Sequence, residues 1–506
     1  MGVRVETQHG ALEGVEERGV RVFRGIPYAA PPVGTHRLRP PRPAPAWAGV
    51  RDATRFGPSA PQDEQRSMAF ARMGVGPQSE DCLYLNVYAP ADAGAPRPVL
   101  VWLHGGAFLN GSGSQAMYRG HALVRRGDVV VVTLNYRLGA LGFLHLAELS
   151  EDPRLADAGS CGLLDQIAAL RWVRENIAAF GGNAAKVTIF GESAGGMSVG
   201  TLLGTPAARG LFQRAIAQSG AALHVHHASA ATRVARVLLE EAGLSHPSAA
   251  ELQALPLAQI QRAQARTLER LANASTALTF QPVIDGRTLP QSPLSAVNAG
   301  AAAGIPLLIG TTRDEWSFWA VGDPRLVQLD ESGLLQRVRA RVPRSLPESE
   351  RAPAARDLIE LYRSRLAGRC ASPRDIFVAL QTDRVFGIPA RQLAEAQSRH
   401  EPRTWAYRIT WESPAAGGAL GACHGIDIPF VFGMIGSKGV DLFAGDGPDA
   451  ERLQGQIMDA WLRFARSGGP RHDGLPEWPA FEPNRAATML LGAKCELVLE
   501  PERRPG

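Results

Sequence analysis

Residues 191–195 read Gly-Glu-Ser-Ala-Gly, the spacing of a nucleophilic serine held on a tight turn. Glycines two positions before and after Ser193 let a strand and a helix approach closely there, because neither glycine carries a side chain. An activated serine needs a base within hydrogen-bond reach, a carboxylate that orients the base, and donors for the developing oxyanion. Since five residues are a weak signal alone, acyl-transfer chemistry at Ser193 is a hypothesis that depends on partners elsewhere in the chain.

Candidates for the acid and the base follow two later strand patterns. The apolar segment 307–310 leads into Asp314 and Glu315, and the strand pattern that ends at Thr410 leads to His424. The order serine, acid, histidine is typical of parallel sheets that carry such a serine. The residues alone leave Asp314 and Glu315 as alternatives. His424 is one of 12 histidines and also fits a structural loop residue.

Donors for an oxyanion are indicated by residues 102–108, Trp-Leu-His-Gly-Gly-Ala-Phe, which follow an apolar strand pattern. Small residues there let backbone N–H groups point into a site, and the helix predicted to start at Ala194 offers another donor. An ordinary glycine turn is the alternative, but the position shortly before the serine strand favours an oxyanion loop. We interpret His104 as a packing residue of this loop.

Three further histidines, His224, His226 and His227, form a cluster that could suggest a metal site. Metal ligands need a spacing that lets imidazoles converge, usually with a carboxylate or thiolate nearby. This sequence pattern offers no such partner, so a loop or a pocket wall is the favoured interpretation. We expect no metal and no cofactor.

The elements that must position these groups are predicted as alternating strands and helices. Segments 99–103 and 129–134 are apolar without polar alternation, which indicates strands buried on both faces. Between residues 163 and 180 apolar residues recur with a helical period, and segment 187–190 is the next strand. This alternation predicts an α/β fold with a mostly parallel sheet flanked by helices.

Two regions, 221–300 and 325–400, are predicted as helical excursions from the same sheet, around the active-site gorge, and the first of them contains Ala-rich helical segments. The chain shows no low-complexity linker and no internal repeat, so we expect one elaborated domain over residues 1–506.

Composition excludes several classes of protein. With 45% hydrophobic and 20% charged residues, the chain is typical of a globular protein with a large core. The net charge of +5, from 54 basic and 49 acidic residues, gives too weak an electrostatic field to hold nucleic acid.

Residues 1–14 lack the apolar segment of a signal peptide, and the longest apolar run, 128–134, is too short to cross a bilayer. Five scattered cysteines indicate reduced thiols. We expect a cytoplasmic protein without nucleic-acid or membrane partners.

Several stretches together resemble the type-B carboxylesterases, the α/β-hydrolase family that includes cholinesterases and bacterial para-nitrobenzyl esterases. The matching stretches run nearly end to end and comprise residues 23–29, 79–87, 104–108, 135–137, 162–182, 190–196, 217–220 and 430–433. The resemblance implies an α/β-hydrolase fold and a role for each matching residue. Ser193 would be the nucleophile, Glu315 the acid and His424 the base.

The same resemblance extends to the surroundings of the triad. The implied oxyanion donors are the backbone N–H groups of Gly106, Ala107 and Ala194. Glu192 and Ser219 match positions near the triad and are interpreted as supports for it, with plain packing as the alternative. The implied pocket residues are Phe108, Phe318 and Trp319, which suggest an apolar acyl or alkoxy group.

We therefore expect a hydrolase of small to medium apolar carboxylic esters, with water as second substrate. An amidase or carbamate hydrolase would use the same residues and is the alternative. Some relatives have lost catalytic residues and serve as binding modules, which the intact residue set here disfavours. We expect a monomer or a weak homodimer.

Three departures from the family pattern narrow the expectation. Secreted relatives pair a cysteine at the position of Cys82 with an upstream cysteine, but the matching position is Ala60, so no bridge is expected. Cholinesterases hold a quaternary ammonium group with a tryptophan before this motif, and no tryptophan lies between Trp47 and Trp102. Choline esters are therefore poor candidates. Trp316 replaces the glycine that usually follows the acid, which bears on pocket shape.

Overall fold

A large β-sheet forms the centre of the molecule. The structure is a computed structural model that describes residues 2–63, 74–92, 94–244, 247–272, 278–343, 345–367 and 371–499. Its strands are β1 (Gly2–Thr7), β2 (Gly10–Glu17), β3 (Val20–Pro27), β4 (Val50–Asp52), β5 (Tyr84–Pro90), β6 (Arg97–Leu103), β7 (Val130–Leu134), β8 (Gly182–Glu192), β9 (Arg214–Gln218), β10 (His226–His227), β11 (Val283–Ile284), β12 (Leu307–Thr312), β13 (Thr404–Ile409), β14 (Ala487–Leu491) and β15 (Glu496–Leu499).

The sheet order is β1-β2-β3-β5-β7-β6-β8-β9-β12-β13-β14-β15, and β4 pairs with β2. The strands from β7 to β14 in this order are parallel to one another. The strands β1, β2, β3, β5 and β15 pair antiparallel along the path at the two ends. The predicted mostly parallel sheet is confirmed.

Helices cover the sheet. They are α1 (His121–Gly127), α2 (Gly139–Phe143), α3 (Cys161–Asn176), α4 (Ala194–Leu203), α5 (Ala228–Glu241), α6 (Ala249–Ala254), α7 (Leu257–Arg270), α8 (Pro293–Asn298), α9 (Ser317–Ala320), α10 (Pro324–Val327), α11 (Glu331–Arg339), α12 (Glu348–Arg365), α13 (Pro373–Thr382), α14 (Ile388–Ser398), α15 (Ile428–Val431), α16 (Asp441–Ala444) and α17 (Pro448–Ser467). A π-helical turn, Asp383–Gly387, joins α13 to α14. No helix in the described ranges is both long and apolar enough to cross a membrane.

Strand β6 shows why the central strands lack polar alternation. Val101 and Leu103 belong to the apolar cluster on one face of the sheet, which α3 and α4 cover. Trp102, between them, belongs to the cluster on the other face, which α17 covers. Because helices exclude water from both faces, every position of the strand favours an apolar side chain. Each fully buried apolar side chain contributes roughly 1.5–3 kcal/mol to the stability of the fold.

A buried ion pair fixes the loop after β7 against α3. Nε and Nη2 of Arg137 donate to the two carboxylate oxygens of Asp165 at 2.8 and 2.7 Å, and both side chains are almost fully buried. Burial alone would lower the pKa of Arg137, but the charge of Asp165 raises it above its ordinary value. Arg137 therefore stays charged, and removing its partner would leave an uncompensated charge in the core.

Candidate active site

Ser193 occupies the sharp turn between β8 and α4. Its φ of 57° and ψ of −125° are unusual for a residue with a side chain, and such a conformation costs on the order of 1–3 kcal/mol. The turn is held because Ser193 N donates to the carbonyl of Gln218 at 3.0 Å and Met197 N donates to the carbonyl of Ser193 at 2.8 Å. The strained turn presents the serine at the carboxyl end of the central strands, where ligands of such sheets bind.

The two glycines of the motif are required by close backbone approach. A Cβ on Gly195 would lie 1.9 Å from the carbonyl oxygen of Leu103, and one on Gly191 would lie 2.7 Å from the same atom. These distances are too short for any real side chain. The spacing that suggested the turn from sequence is therefore explained by strand β6 passing directly beside it.

Glu315, and not Asp314, contacts the histidine. Nδ1 of His424 lies 2.5 Å from Oε2 of Glu315, whose other oxygen accepts the N–H of Thr312 at 2.8 Å. The carboxylate of Asp314 instead accepts hydrogen bonds from Arg313 and from the N–H of Ala422. The two alternatives that the residues left open are thus separated by geometry.

The second ring nitrogen of His424 lies beside Glu192. Nε2 is 3.1 Å from Oε1 of Glu192. The contact is electrostatic, because that oxygen accepts no hydrogen bond from the described residues. Within the same part of the chain no hydrogen bond joins His424 to the hydroxyl of Ser193, although both residues line one cavity. Hydrogen bonds of this kind are often long before substrate binds and shorten in the complex.

Three buried carboxylates influence the imidazole. Burial lowers the pKa of His424, but the charges of Glu192 and Glu315 outweigh this effect and raise it above its ordinary value. Burial raises the pKa of Glu192, against the opposing effect of His424. Burial also raises the pKa of Asp427 to about 6, although a hydrogen bond from Gln218 opposes the rise.

Gln218 connects the turn at Ser193 to Asp427, and the sequence did not point to it as a site residue. Its backbone oxygen accepts the N–H of Ser193, as described, and its Nε2 donates to Oδ2 of Asp427 at 2.7 Å. Nε1 of Trp461 in α17 donates to the amide oxygen of Gln218 at 3.1 Å. The neighbouring Ser219, which was expected to support the triad, donates its N–H to Gly310, and its buried hydroxyl has no partner among the described residues.

Backbone donors for an oxyanion are free. The N–H groups of Gly106, Ala107 and Ala194 take part in no hydrogen bond within the described residues, and Gly106 and Ala107 line the cavity beside Ser193. The loop is held in place because Leu109 N and Asn110 N both donate to the carbonyl of Gly106 at 2.9 Å. Gly106 has φ 113° and Ala107 φ 56°, so the free donors are fixed by an unusual backbone path.

The cavity has a volume of about 450 Å³ and a largely apolar wall, within the size range of ligand pockets. Its lining residues are Gly105, Gly106, Ala107, Leu109, Asn110, Gly111, Gln115, Met117, Tyr118, Glu192, Ser193, Leu268, Phe318, Trp319, His424 and Ile428. Phe318 and Trp319 were predicted from the resemblance, whereas Leu109, Met117, Leu268 and Ile428 were not.

Phe108 is a correction to the predicted pocket. It is fully buried and packs edge to face on Phe143, with ring centroids 5.0 Å apart, and it is not among the residues that line the cavity. The physical reason is the backbone conformation at Phe108. Its φ is 58°, and with this backbone the side chain packs in the core and not against the cavity.

Two aromatic rings pack on the imidazole. The ring centroids of Trp319 and Phe386 each lie 4.8 Å from that of His424, and the two rings stack on each other at 6.0 Å. Phe386 belongs to the π-helical turn, a feature that often occurs at functional sites. Sequence reasoning did not find Phe386, because nothing in its neighbourhood marks a π-helical turn.

The remaining histidines have other surroundings. His104 is fully buried against Tyr136, with ring centroids 4.4 Å apart, and burial lowers its pKa to about 4. Burial likewise lowers the pKa of His224 to about 4, and Nε2 of His226 lies 3.1 Å from the carbonyl of Thr279. The part of the chain that the structure describes contains no group of three or more side chains suited to hold a metal ion. Cys82 is a buried free thiol.

A mostly parallel sheet flanked by helices, with a serine on a strained turn after its central strand, defines an α/β-hydrolase. The chain belongs to the carboxylesterase family, whose sequence model matches residues 2–502. It is 40% identical to the para-nitrobenzyl esterase of Bacillus subtilis (strain 168), over 98% of this chain and 96% of that protein. It is 36% identical to the phenmedipham hydrolase of Pseudarthrobacter oxydans, over 99% of this chain and 97% of that protein.

Solved structures agree with this assignment. The crystal structure of a Geobacillus stearothermophilus carboxylesterase at pH 6.2 matches with a TM-score of 0.87 at 40% sequence identity, covering 98% of each chain. The resemblance seen in the sequence is confirmed, and the protein is an enzyme of the carboxylesterase family.

Proposed function

We propose that this enzyme hydrolyses small to medium apolar carboxylic esters through an acyl-enzyme on Ser193. The observation that carries the proposal is the set of N–H donors at Gly106, Ala107 and Ala194, which have no partner among the described residues. Gly106 and Ala107 line the cavity that Ser193 and His424 also line, and Ala194 directly follows Ser193. Such donors have no role in holding the fold, and they suit the oxyanion of a tetrahedral intermediate.

The order of proton transfers follows from the contacts of the imidazole. Nδ1 of His424 is committed to Glu315, so Nε2 is the atom that takes the proton of Ser193 as the hydroxyl attacks the ester carbonyl. The imidazolium then returns this proton to the leaving alcohol oxygen. Water attacks the acyl-enzyme in a second cycle with the same transfers, which releases the carboxylic acid and restores Ser193.

The apolar wall sets the proposed substrate class. Leu109, Met117 and Leu268 add apolar surface to that of Phe318 and Trp319, and apolar groups of a substrate are favoured there because burial removes them from water.

Leu268 lies in α7 and the nearby Phe386 lies in the π-helical turn, so both helical excursions contribute to one site. This supports the proposal of a single domain. The buried free thiol of Cys82 supports the proposal that the enzyme is cytoplasmic.

A chain-length series of para-nitrophenyl esters tests the proposal. We expect turnover with wild type and a loss of roughly 10⁵–10⁶-fold in kcat with Ser193→Ala. Covalent labelling by an organophosphate should modify Ser193 and no other residue. Full activity of the variant, or a label elsewhere, would contradict the assignment.

An amidase or carbamate hydrolase would use the same residues. Matched ester and anilide substrates with one acyl group separate these activities, because the acyl pocket is held constant. Faster cleavage of the anilide would replace the esterase proposal.

A further inference from the structure

Three arginines gather on one side of helix α13, outside the residues that line the ester cavity. The guanidinium carbon of Arg341 lies 4.8 Å from the ring centroid of Phe377, and that of Arg337 lies 5.7 Å from the same centroid. Nε of Arg384 donates to Oε1 of Gln381 at 2.9 Å. Because Phe377 and Gln381 are one helical turn apart in α13, the three guanidinium groups share one face of that helix. We call these three residues the arginine cluster.

The arginine cluster has no carboxylate partner in the part of the chain that the structure describes. Among the described residues none of the three arginines forms an ion pair with a carboxylate. Nη1 of Arg341 donates to the backbone oxygen of Arg337 at 2.8 Å, whereas its buried Nε has no partner within that part of the chain. The charge of Arg337 contributes to lowering the pKa of Asp323, but the carboxylate of Asp323 is hydrogen-bonded to Arg325.

Electrostatics within the arginine cluster are correspondingly unfavourable. Burial, followed by repulsion from Arg384 and Arg337, lowers the pKa of Arg341 to about 10. Burial also lowers the pKa of Arg384. Arg341 remains charged at neutral pH, since a pKa of about 10 is well above 7. Partly buried cations normally have a counter-charge, which an anion from solution would supply here.

We propose that Arg337, Arg341 and Arg384 form a binding site for a small polyvalent oxyanion, either a polycarboxylate or a phosphate. A guanidinium group packed with its flat face on an aromatic ring still presents N–H donors along its edge. Those donors match the oxygens of a carboxylate or a phosphate in pairs. Convergence of several cations favours an anion with more than one negative charge.

The site lies near the ester site without belonging to it. None of the three arginines lines the cavity that holds Ser193. Arg384 and Phe386 are two residues apart in the same π-helical turn, and Phe386 packs on His424. A bound anion would therefore neutralise charge on the turn that contacts the imidazole.

Calorimetric titration of the full-length enzyme with citrate and with phosphate tests the proposal, with sodium chloride at matched ionic strength as the reference. We expect saturable binding of at least one polyvalent anion and a rise in Tm beyond that given by chloride, since a ligand of the folded state stabilises it. Citrate alone would assign the site to polycarboxylates, and phosphate alone to phosphoryl groups. Equal effects of all salts would mean general screening and would overturn the proposal.

Charge-removing variants locate the site. Arg341→Gln should lower the affinity for the anion at least about tenfold, because one charge-assisted contact is lost. Arg236→Gln removes the same charge from an exposed position in α5 and should bind as wild type does. Without added anion, Arg341→Gln should unfold at the same temperature as wild type or higher, because repulsion within the arginine cluster falls. Unchanged anion affinity in both Arg341→Gln and the double variant Arg341→Gln/Arg384→Gln would place the anion elsewhere.

Discussion

At the scale of single residues, the protonation of His424 is set by opposing effects that depend on named neighbours. The ring is buried, which favours its neutral form, while the carboxylates of Glu192 and Glu315 favour the cation. A base must be neutral to accept a proton, so the esterase rate should fall as the pH drops through the pKa of His424. In the proposed mechanism, Glu192 would therefore help to set the pH range in which the enzyme works.

The variant Glu192→Gln tests this dependence. Loss of the carboxylate beside Nε2 should lower the pKa of His424 and shift the acidic limb of the kcat/KM profile to lower pH. Glu451→Gln, an exposed change of the same charge in α17, should leave the limb where it is in wild type. An acidic limb that does not move in Glu192→Gln would show that Glu192 does not influence the titrating group.

Phe108 shows a limit of inference from sequence at this scale. The resemblance to relatives implied that Phe108 lines the pocket, but its side chain packs on Phe143 in the core. Which side of a loop a side chain takes depends on backbone angles. Alanine and phenylalanine rarely adopt a positive φ, so the residue types at 107 and 108 did not predict one.

At the scale of elements, strand β6 and the turn after β8 are in direct contact. Gly195→Ala would place a Cβ 1.9 Å from the carbonyl oxygen of Leu103, so the strand and α4 would have to separate. We expect a loss of at least about 1–3 kcal/mol in the free energy of unfolding, measured by urea denaturation, together with a loss of esterase activity.

Gly322→Ala is the matched control for this prediction. A Cβ at Gly322 would have no heavy atom within 4 Å, and its φ is not positive in the range that disfavours side chains. The control should be as stable and as active as wild type. Equal stability of Gly195→Ala and Gly322→Ala would mean that the backbone approach does not require glycine.

The elements differ in how far they could be predicted. The parallel strands β6, β7 and β8 were predictable because a strand buried on both faces is apolar at successive positions. The approach of α7, which brings Leu268 to the cavity, and the π-helical turn, which brings Phe386 to His424, were not. Both depend on contacts between residues far apart in the chain, and such contacts cannot be predicted from local residue patterns.

At the scale of the whole molecule, Asp427 couples stability to pH. Its pKa rises from 3.8 to about 6, first because of burial. A raised pKa means that the folded state favours the protonated acid, so this stability is fully present below pH 4 and is lost as the pH rises through about 6. Two pKa units correspond to about 3 kcal/mol.

Asp427→Asn should remove this dependence, since the amide does not ionise and keeps an oxygen for Nε2 of Gln218. We expect the variant to gain up to about 3 kcal/mol over wild type at pH 8 and to match it at pH 4, by urea unfolding at both values. Asp357→Asn, an exposed control in α12, should behave as wild type at both. The same difference from wild type at pH 4 and pH 8 would contradict the assignment.

The strand order also has a consequence for biosynthesis. From β8 onward the strands β9, β12, β13 and β14 add to the growing edge of the sheet in the order in which a ribosome makes them. Domains often begin to fold during synthesis, and here the serine turn could form on β8 and β9 while His424 is still untranslated. In the proposed mechanism, a nascent chain would then hold Ser193 without His424. If that mechanism holds, ester hydrolysis would begin only after the segment that follows β13 has joined the sheet.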